Sequence, residues 1–222
     1  MDQVAAFLPY FFEGTWVTLQ IFVLGLILAL LVAFAAGLGR MSSIHAIRWP
    51  CAVFIEVFRG TSAIVQLFWF FYALPLFLDI RLTPLMAGVL VLGLNQGSYA
   101  AEIVRGAVQS VPLTQWEAAT ALNMPKRTTL RRVILPQALV AMLPPFGNVA
   151  VDLMKNTSLV ALVTVLDLTY RAQLIRATTG ETTIIFGLLV VVYLILTNGI
   201  SLLRRMLERR MPAGLAYAPG RE

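Results

Sequence analysis

The chain has 222 residues, of which 59% are hydrophobic and only 13% are charged, and its formal net charge is +6. Because soluble domains carry about a quarter charged residues, this composition excludes an ordinary soluble protein and indicates an integral membrane protein. The single cysteine, Cys51, excludes an internal disulfide and any cysteine-based metal cluster, and we expect no metal site and no catalytic residue. In a membrane protein, Lys and Arg accumulate in the loops on the cytoplasmic side and so report the orientation of the chain. We therefore attribute the net positive charge to membrane topology and expect no nucleic acid as a partner.

Five apolar stretches divide the chain, and each is long enough to cross a bilayer as a helix, since about 20 residues span the hydrocarbon core. We predict an all-α integral membrane protein with five transmembrane helices and a single domain over residues 1–222. The predicted spans cover residues 15–39, 51–78, 84–104, 137–165 and 183–203.

The basic residues are distributed unevenly between the two sides of these spans. Twelve of the 17 Lys and Arg lie in the loop after the first span, in the loop after the third span or in the tail, and three lie on the opposite side. Short loops rich in Lys and Arg stay in the cytoplasm, so the N-terminus is predicted outside and the tail inside a bacterial inner membrane. The basic tail is expected to anchor this topology, with binding of anionic membrane lipid as the alternative.

Polar residues interrupt the second and third spans. Gln66 lies in the second span, and Asn95 and Gln96 lie in the third. Side chains this polar avoid lipid, so we predict that they either bond to a neighbouring helix or line a pathway for a solute. Gly93 and Gly97 form a G-x-x-x-G pair, which favours close packing against another helix.

Charged residues also occur in or beside the spans, in pairs of opposite charge. The pairs, each with i,i+3 spacing, are Glu56–Arg59, Glu102–Arg105 and Asp152–Lys155. Residues three apart share one face of a helix. We therefore predict that the first two pairs neutralise each other, whereas the third either faces a solute or pairs structurally between helices.

A basic, water-compatible hairpin, residues 115–135, separates the third and fourth spans. The alanine-rich stretch QWEAATAL predicts a short helix, and Asn123 after it favours the left-handed conformation that closes a helix. Pro125 suits the first turn of a second helix, because its missing N–H needs no partner there. Small side chains beside Glu117 would permit close approach by a groove of another protein, whereas a solvated connecting loop is the alternative. These small residues are Ala118, Ala119 and Ala121.

The stretch EAATALNMPKRTTLRRVILP resembles the EAA loop of ABC transporter permeases, the membrane subunits of ATP-driven type I importers. In that family Glu-Ala-Ala is followed by three residues, Gly, nine residues and Ile-x-Leu-Pro. The matching positions are Glu117, Ala118, Ala119, Asn123, Val133, Leu135 and Pro136. Asn replaces Gly at 123, and Val replaces Ile at 133. Segments 56–75, 94–112 and 153–168 resemble the polar amino acid importer branch of the same family.

This resemblance implies that the hairpin docks on a cytoplasmic ABC ATPase dimer through Glu117, Ala118, Ala119 and Asn123. It also implies a second permease subunit, identical or paralogous, and a periplasmic or extracellular solute-binding protein. ATP and Mg would be held by the ATPase chain, because this sequence has no G-x-x-x-x-G-K-[ST] phosphate-binding loop. The chain is therefore predicted to be a transport subunit with no cofactor of its own, and not an enzyme.

The fourth span carries the polar residues that best suit a small polar solute. The prolines 144–145 and Gly147 are predicted to kink or break it, and broken helices expose polar groups to solutes in transporters. A zwitterion needs a cation for its carboxylate and an acid for its ammonium. Lys155 and Asp152 can supply them, with Glu102 as an alternative acid. The further candidates for this pathway are Asn148, Asn156, Thr157 and Ser158.

The identity of the solute stays open at this point. In the resembling importer branch, some members that carry cationic amino acids have an acid directly after the residue matching Asn148, whereas this chain has Val149. That departure weakens the case for arginine, lysine or histidine. We predict import of a polar amino acid or amino-acid-like solute, with a compatible solute such as ectoine as an alternative. A secondary carrier that works without ATP, or a scaffold that recruits an ATPase without transport, would be a different class of protein.

Overall fold

The computed structural model describes residues 2–209, with side chains from residue 7 onward, and this part of the chain is helical with no strand. The predicted all-α fold is therefore confirmed for the described residues. Their α-helices are α1 (Asp2–Arg40), α2 (His45–Gly60), α3 (Ala63–Phe68), α4 (Leu74–Leu78), α5 (Pro84–Gln109), α6 (Leu113–Ala121), α7 (Lys126–Thr129), α8 (Leu135–Asn156), α9 (Leu168–Thr179) and α10 (Thr182–Arg209). Two π-helical segments, Trp69–Ala73 and Leu130–Ile134, and one 3-10 segment, Thr157–Val163, link some of these helices directly.

Three helical stretches are long and apolar enough to cross a membrane: Phe7–Arg40, Lys126–Val163 and Thr182–Arg209. They contain the predicted first and fifth spans and the predicted fourth span up to Val163, two residues short of its predicted end. The predicted second span, residues 51–78, is not a straight helix, because the chain bends by 106° between α2 and α3. If this bent pair is counted as one span, it is a fourth candidate.

The predicted third span coincides with α5, whose middle is too polar to meet the same criterion. Asn95, Gln96 and Ser98 are all buried there, and more than half of the residues of α5 are buried. A helix that faces protein on most sides needs fewer apolar side chains than one that faces lipid. The count of five crossings therefore stays a prediction.

Close packing between α1 and α5 forms the centre of the molecule. An added Cβ at Gly93 would lie 2.7 Å from a methyl carbon of Leu28, and one at Gly97 would lie 2.8 Å from Cβ of Val32. These distances are too short for real side chains, so the two glycines allow the helices to approach each other. The prediction of close packing by this G-x-x-x-G pair is confirmed.

The predicted break of the fourth span at the prolines 144–145 and Gly147 is wrong, because α8 continues through them to Asn156, and a kink at this point stays a prediction. A proline removes one main-chain donor, and neighbouring helices of a membrane protein can hold such a helix together. The helix changes only after Asn156, where Thr157–Val163 tighten into the 3-10 segment. The short helix α9, which was not predicted, then lies between this segment and α10.

Candidate functional site

The break between α2 and α3 depends on three polar side chains that satisfy the end of α2. The last carbonyls of a helix have no partner within that helix. Gln66 Nε2 and Asn95 Nδ2 both donate to the carbonyl of Phe58, at 2.9 and 3.0 Å. Tyr99 donates its hydroxyl to the carbonyl of Arg59 at 3.3 Å, and Asn95 Nδ2 also donates to Gln66 Oε1 at 3.2 Å. We call Gln66, Asn95 and Tyr99 the α2 clasp.

A cavity of about 720 Å³ lies beside this break, and α5 and α8 form its other walls. We call it the central cavity. Predicted pathway residues from two separate spans meet there, because α5 and α8 pack side by side. The candidates that line the central cavity are Asn95, Gln96, Asn148, Asp152, Lys155 and Asn156.

Three predicted pathway residues are not among the lining residues. Gln66 is buried in the α2 clasp, where its amide is already bonded. Thr157 is fully buried and donates its hydroxyl to the carbonyl of Met154 at 2.6 Å. Ser158 donates to the carbonyl of Lys155 at 2.8 Å. In this structure the three side chains stabilise main chain at the break and at the end of α8.

Asp152 and Lys155 face the central cavity and are only loosely paired. Their charged atoms are 3.9 Å apart, and the two side chains are 62% and 61% exposed. A pair this long and this exposed leaves both charges able to bind another group. Asn148, one turn away on α8, accepts a hydrogen bond from Arg204 of α10.

The predicted pairing of Glu56 with Arg59 is wrong. Glu56 instead binds Arg40 at the end of α1, with a nitrogen–oxygen distance of 3.1 Å. The guanidinium of Arg59 lies over the ring of Tyr99, 5.4 Å from its centre, and lines the central cavity. Helical spacing alone did not reveal that α1 supplies a competing arginine.

The predicted pairing of Glu102 with Arg105 is observed, with a nitrogen–oxygen distance of 2.7 Å. The second oxygen of Glu102 binds Arg40. Glu102 reaches the wall of the central cavity, as the sequence allowed, but both of its oxygens already have arginine partners.

The hairpin between α5 and α8 has the predicted turn. Asn123 is left-handed, with φ of 55°. Its N–H donates to the carbonyl of Thr120 at 2.8 Å, and the N–H of Met124 donates to the carbonyl of Ala119 at 3.0 Å. This pair of bonds is the Schellman motif that ends many helices. The predicted left-handed conformation at Asn123 is confirmed.

The outer surface of α6 differs in part from the predicted alanine surface. Glu117 and Ala118 are exposed, and Leu113 and Leu122 are exposed to 70% and 76%. Ala119 is buried, contrary to the prediction, because α6 packs against the π-helical segment of the hairpin. The resulting outer surface combines one acid with small and large apolar side chains.

The second arm of the hairpin is continuous with α8. The helix that starts at Lys126 runs through the π-helical segment into α8, so Pro136 does not open a separate helix as predicted. Pro125 precedes this helix as its cap rather than lying in its first turn. One helical stretch therefore connects the exposed turn at Asn123 with Asp152 and Lys155 in the central cavity.

Comparison with known families gives one match that covers most of the chain. Residues 25–212 match the family described as "Binding-protein-dependent transport system inner membrane component". The probable amino-acid ABC transporter permease protein y4tF of Sinorhizobium fredii is 42% identical over 201 residues, which are 88% of this chain and 84% of that protein. The glutamine transport system permease protein GlnP of Escherichia coli K12 is 42% identical over 205 residues, 92% and 94% of the two chains.

A third relative, the L-cystine transport system permease protein TcyB of Bacillus subtilis, is 36% identical over 93% of this chain and 88% of its own. Among solved structures, a chain of an amino acid ABC transporter crystallised with histidines has a TM-score of 0.88 and 32% identity, over 94% and 97% of the two chains. A chain of the MetNI methionine ABC transporter shares the fold, with a TM-score of 0.79 and 16% identity over 96% and 99%. The present chain thus belongs to the family of binding-protein-dependent transport system inner membrane components, as a permease subunit of the amino-acid ABC transporters and not an enzyme.

Proposed function

We propose that this permease carries a polar, zwitterionic amino acid through the central cavity. The observation that carries the proposal is the balance of charge in that cavity, where Asp152 and Glu102 occur together with Lys155 and Arg59. A solute with one positive and one negative end suits such a site, because each end meets an opposite charge. The relatives named for glutamine and L-cystine favour the same class of solute.

The two acids of the central cavity differ in their capacity to bind an ammonium group. Glu102 already binds arginines through both oxygens. Asp152 has Lys155 as its one ion-pair partner within residues 2–209, at 3.9 Å. We therefore assign the ammonium of the solute to Asp152.

We assign the carboxylate of the solute to Arg59 and Lys155, because neither cation is firmly bound to an acid in the part of the chain that the structure describes. Arg59 has no acidic partner among the described residues, and Lys155 is held only loosely by Asp152. The amides of Asn148 and Gln96 also line the cavity and can contact the polar side chain of an amino acid, whereas both N–H groups of Asn95 are already bonded in the α2 clasp.

We propose that two permease subunits, identical or paralogous, enclose the pathway. In the single chain, the Asn148, Asp152 and Lys155 side chains are exposed, and a second subunit would shield them from lipid. The distribution of Lys and Arg supports five spans with the N-terminus outside and the tail in the cytoplasm of the bacterial inner membrane. A solute-binding protein would then deliver the amino acid to the outer face.

We further propose that the hairpin couples transport to a cytoplasmic ATPase dimer, which would hold ATP and Mg. The continuity between the second arm of the hairpin and α8 supports this role, because α6 packs against the π-helical segment of the same helical stretch that carries Asp152 and Lys155. In this scheme ATP binding opens the outward side and hydrolysis resets the permease. Two alternatives have less support: the relatives above name amino acids rather than ectoine, and a secondary carrier would not need such a hairpin.

The substrate assignment is tested by uptake into proteoliposomes that contain the permease with its ATPase and solute-binding protein. We expect Lys155→Met to lower ATP-driven uptake of radiolabelled glutamine by about tenfold or more, since a charge-assisted hydrogen bond contributes about 1.5–3 kcal/mol. Arg205→Gln, which removes an exposed arginine outside the cavity, is the control and should keep wild-type uptake. Equal uptake by both variants would contradict the role of Lys155, and uptake without ATP would favour a secondary carrier.

The coupling role is tested on the exposed surface of α6. We expect Glu117→Lys and Ala118→Trp each to reduce copurification of the ATPase by more than about tenfold, because a misplaced charge or bulk at an interface costs several kcal/mol. The control is Ala177→Trp, a change of the same size at an exposed position of α9. Unchanged ATPase binding and ATP-driven uptake in both α6 variants would contradict coupling through the hairpin.

A further inference from the structure

A second cavity, of about 520 Å³, lies where the ends of α1 and α5 meet the start of α2. We call it the basic cavity. Its polar lining contains three arginines and a histidine but no acidic residue: Arg40, Arg48, Arg105, His45, Ser42 and Gln109. We propose that the basic cavity binds the phosphate of an anionic phospholipid headgroup. The assignment to lipid depends on the membrane topology given under the proposed function, in which this cavity faces the cytoplasmic leaflet.

Two of the three arginines are held in position by side-chain partners within the protein. Arg40 binds Glu56 at 3.1 Å and also binds Glu102. Arg105 binds Glu102 at 2.7 Å and donates to the side-chain oxygen of Gln109 at 3.0 Å. A guanidinium has five N–H donors, so each of these arginines keeps donors for a further oxygen. Side chains fixed in this way lose little conformational entropy when they bind a phosphate.

The third arginine gives the basic cavity its excess of positive charge. Arg48 has no acidic partner in the described part of the chain, and its Nη2 lies 2.9 Å from Nε2 of His45. Two acids, Glu56 and Glu102, compensate the charges of Arg40 and Arg105, so one positive charge remains. The phosphodiester of phosphatidylglycerol carries one negative charge and therefore matches this site.

The start of α2 adds an electrostatic contribution of its own. α2 begins at His45, and the side-chain oxygen of Ser42 accepts from the N–H of Ile44 at 3.1 Å, just before the helix. The first turn of a helix favours an anion, because its N–H groups point outward without partners. Arginines, polar side chains and this helix start therefore converge on one space.

A lipid is favoured over a free phosphate because an apolar surface leads away from the basic cavity. Trp49 lines the cavity and is 69% exposed. Val53 and Val57, four and eight residues further along α2, are also exposed. This spacing places the three side chains on one helix face, where an acyl chain can lie, and tryptophan is typical of the depth of lipid headgroups.

The test is native mass spectrometry of the purified full-length permease, titrated with dioleoyl phosphatidylglycerol or dioleoyl phosphatidylcholine in detergent. We expect phosphatidylglycerol to bind more tightly than phosphatidylcholine. Arg48→Gln should weaken phosphatidylglycerol binding about fivefold, as expected for one basic residue at an anionic lipid surface. Arg48→Lys keeps the charge and should bind close to the wild-type level.

The control variant is Arg127→Gln, which removes an exposed arginine from the second arm of the hairpin, outside the basic cavity and on the same proposed side of the membrane. It should leave phosphatidylglycerol binding within about twofold of wild type, because screening limits the reach of a distant charge. Equal binding of the two lipids, or equal losses in Arg48→Gln and Arg127→Gln, would overturn the proposal. Displacement of phosphatidylglycerol by an equal concentration of inorganic phosphate would assign the cavity to free phosphate and overturn the lipid assignment. These measurements record lipid binding alone, so failure of the transport proposal would not change them.

Discussion

The helices of this permease are interrupted in two contrasting ways. At the break between α2 and α3, side chains from distant parts of the sequence satisfy the end of α2, since Asn95 of α5 reaches the carbonyl of Phe58. At the turn between α6 and α7, the main chain satisfies itself through the bonds around Asn123. The first interruption is held by the buried amides of Gln66 and Asn95, although residues 59–62 of the chain are themselves exposed, whereas the second is exposed in the hairpin and has no buried side-chain partner among residues 7–209.

The difference in environment determines how much each interruption depends on its particular residues. A buried donor or acceptor that loses its partner cannot turn to water, so its full desolvation penalty remains. An exposed turn can replace a lost bond with one to water. We therefore expect the α2 clasp to tolerate substitution poorly and the hairpin turn to tolerate it well. The clasp fixes one wall of the central cavity, through which we propose the solute passes, while the hairpin carries the surface that we propose for the ATPase.

The largest expected effect comes from removing the central amide of the clasp. Gln66→Met keeps the size of the side chain but loses the bonds to Phe58, to Thr61 and to Asn95. The two N–H groups of Nε2 are shared among three acceptors, so with the bond accepted by Oε1 three bonds are lost in all; at about 1–1.5 kcal/mol each, we expect the free energy of unfolding to fall by about 3–4.5 kcal/mol. Titration with SDS in mixed micelles, followed by circular dichroism, measures this change.

The same substitution at an exposed glutamine is the control. It measures how much stability is lost when any Gln is replaced by Met, apart from the bonds of the clasp. Gln173→Met alters a surface position of α9 and should change the free energy of unfolding by less than about 0.5 kcal/mol. If the two variants lost equal stability, the break would have no special dependence on the buried amide of Gln66, and the contrast between the interruptions would fail.

A third interruption lies between the 3-10 segment and α9, and it combines features of the other two. We expect its effect on the free energy of unfolding to be smaller than that of Gln66→Met. Asp167 is buried, and its carboxylate accepts from the N–H groups of Thr169 and Tyr170 at 3.1 and 2.9 Å, at the start of α9. Burial raises the pKa of Asp167 to about 6 despite these bonds. The partners are local, as in the hairpin, but the environment is buried, as in the clasp.

The raised pKa of Asp167 fixes the sign of a pH dependence. Between the usual pKa near 4 and the folded value, the folded state holds a proton that the unfolded state has released, so stability falls as pH rises through this range. The fall is up to about 3 kcal/mol and ends near pH 6. Asp167→Asn keeps an acceptor for the helix start and should flatten the profile of unfolding free energy between pH 4 and 6. An unchanged slope in this variant would contradict the assignment to Asp167.

Local features of this fold could be predicted from the sequence because their causes are local. Asn123 follows an alanine-rich helix and precedes a proline, which indicates a left-handed turn without any tertiary information. The polar residues Asn95 and Lys155 could be identified as pathway candidates because polar side chains are unexpected in apolar stretches. Both now line the central cavity.

Long-range partners could not be predicted in the same way. The bend after α2 depends on Asn95, 37 residues beyond the carbonyl of Phe58 that it bonds. Arg59 was paired with Glu56 by helical spacing, but Arg40 of α1 competes for that acid in the folded chain. Ala119 was placed on the exposed surface because spacing within α6 does not reveal which face packs against the rest of the hairpin.

The smallest expected effect is at Asn123, and it tests the exposed side of the comparison. Asn123 has φ of 55°, a conformation that costs a β-branched residue more than it costs Asn or Gly. We expect Asn123→Val to lower the free energy of unfolding by about 1 kcal/mol and Asn123→Gly to leave it unchanged or slightly higher. Ala121→Val, at an exposed helical position of α6, is the control for a new β-branched apolar side chain. Because the main-chain bonds around Asn123 can persist in both variants, a loss in Asn123→Val as large as that in Gln66→Met would show that burial does not decide how strictly an interruption is held.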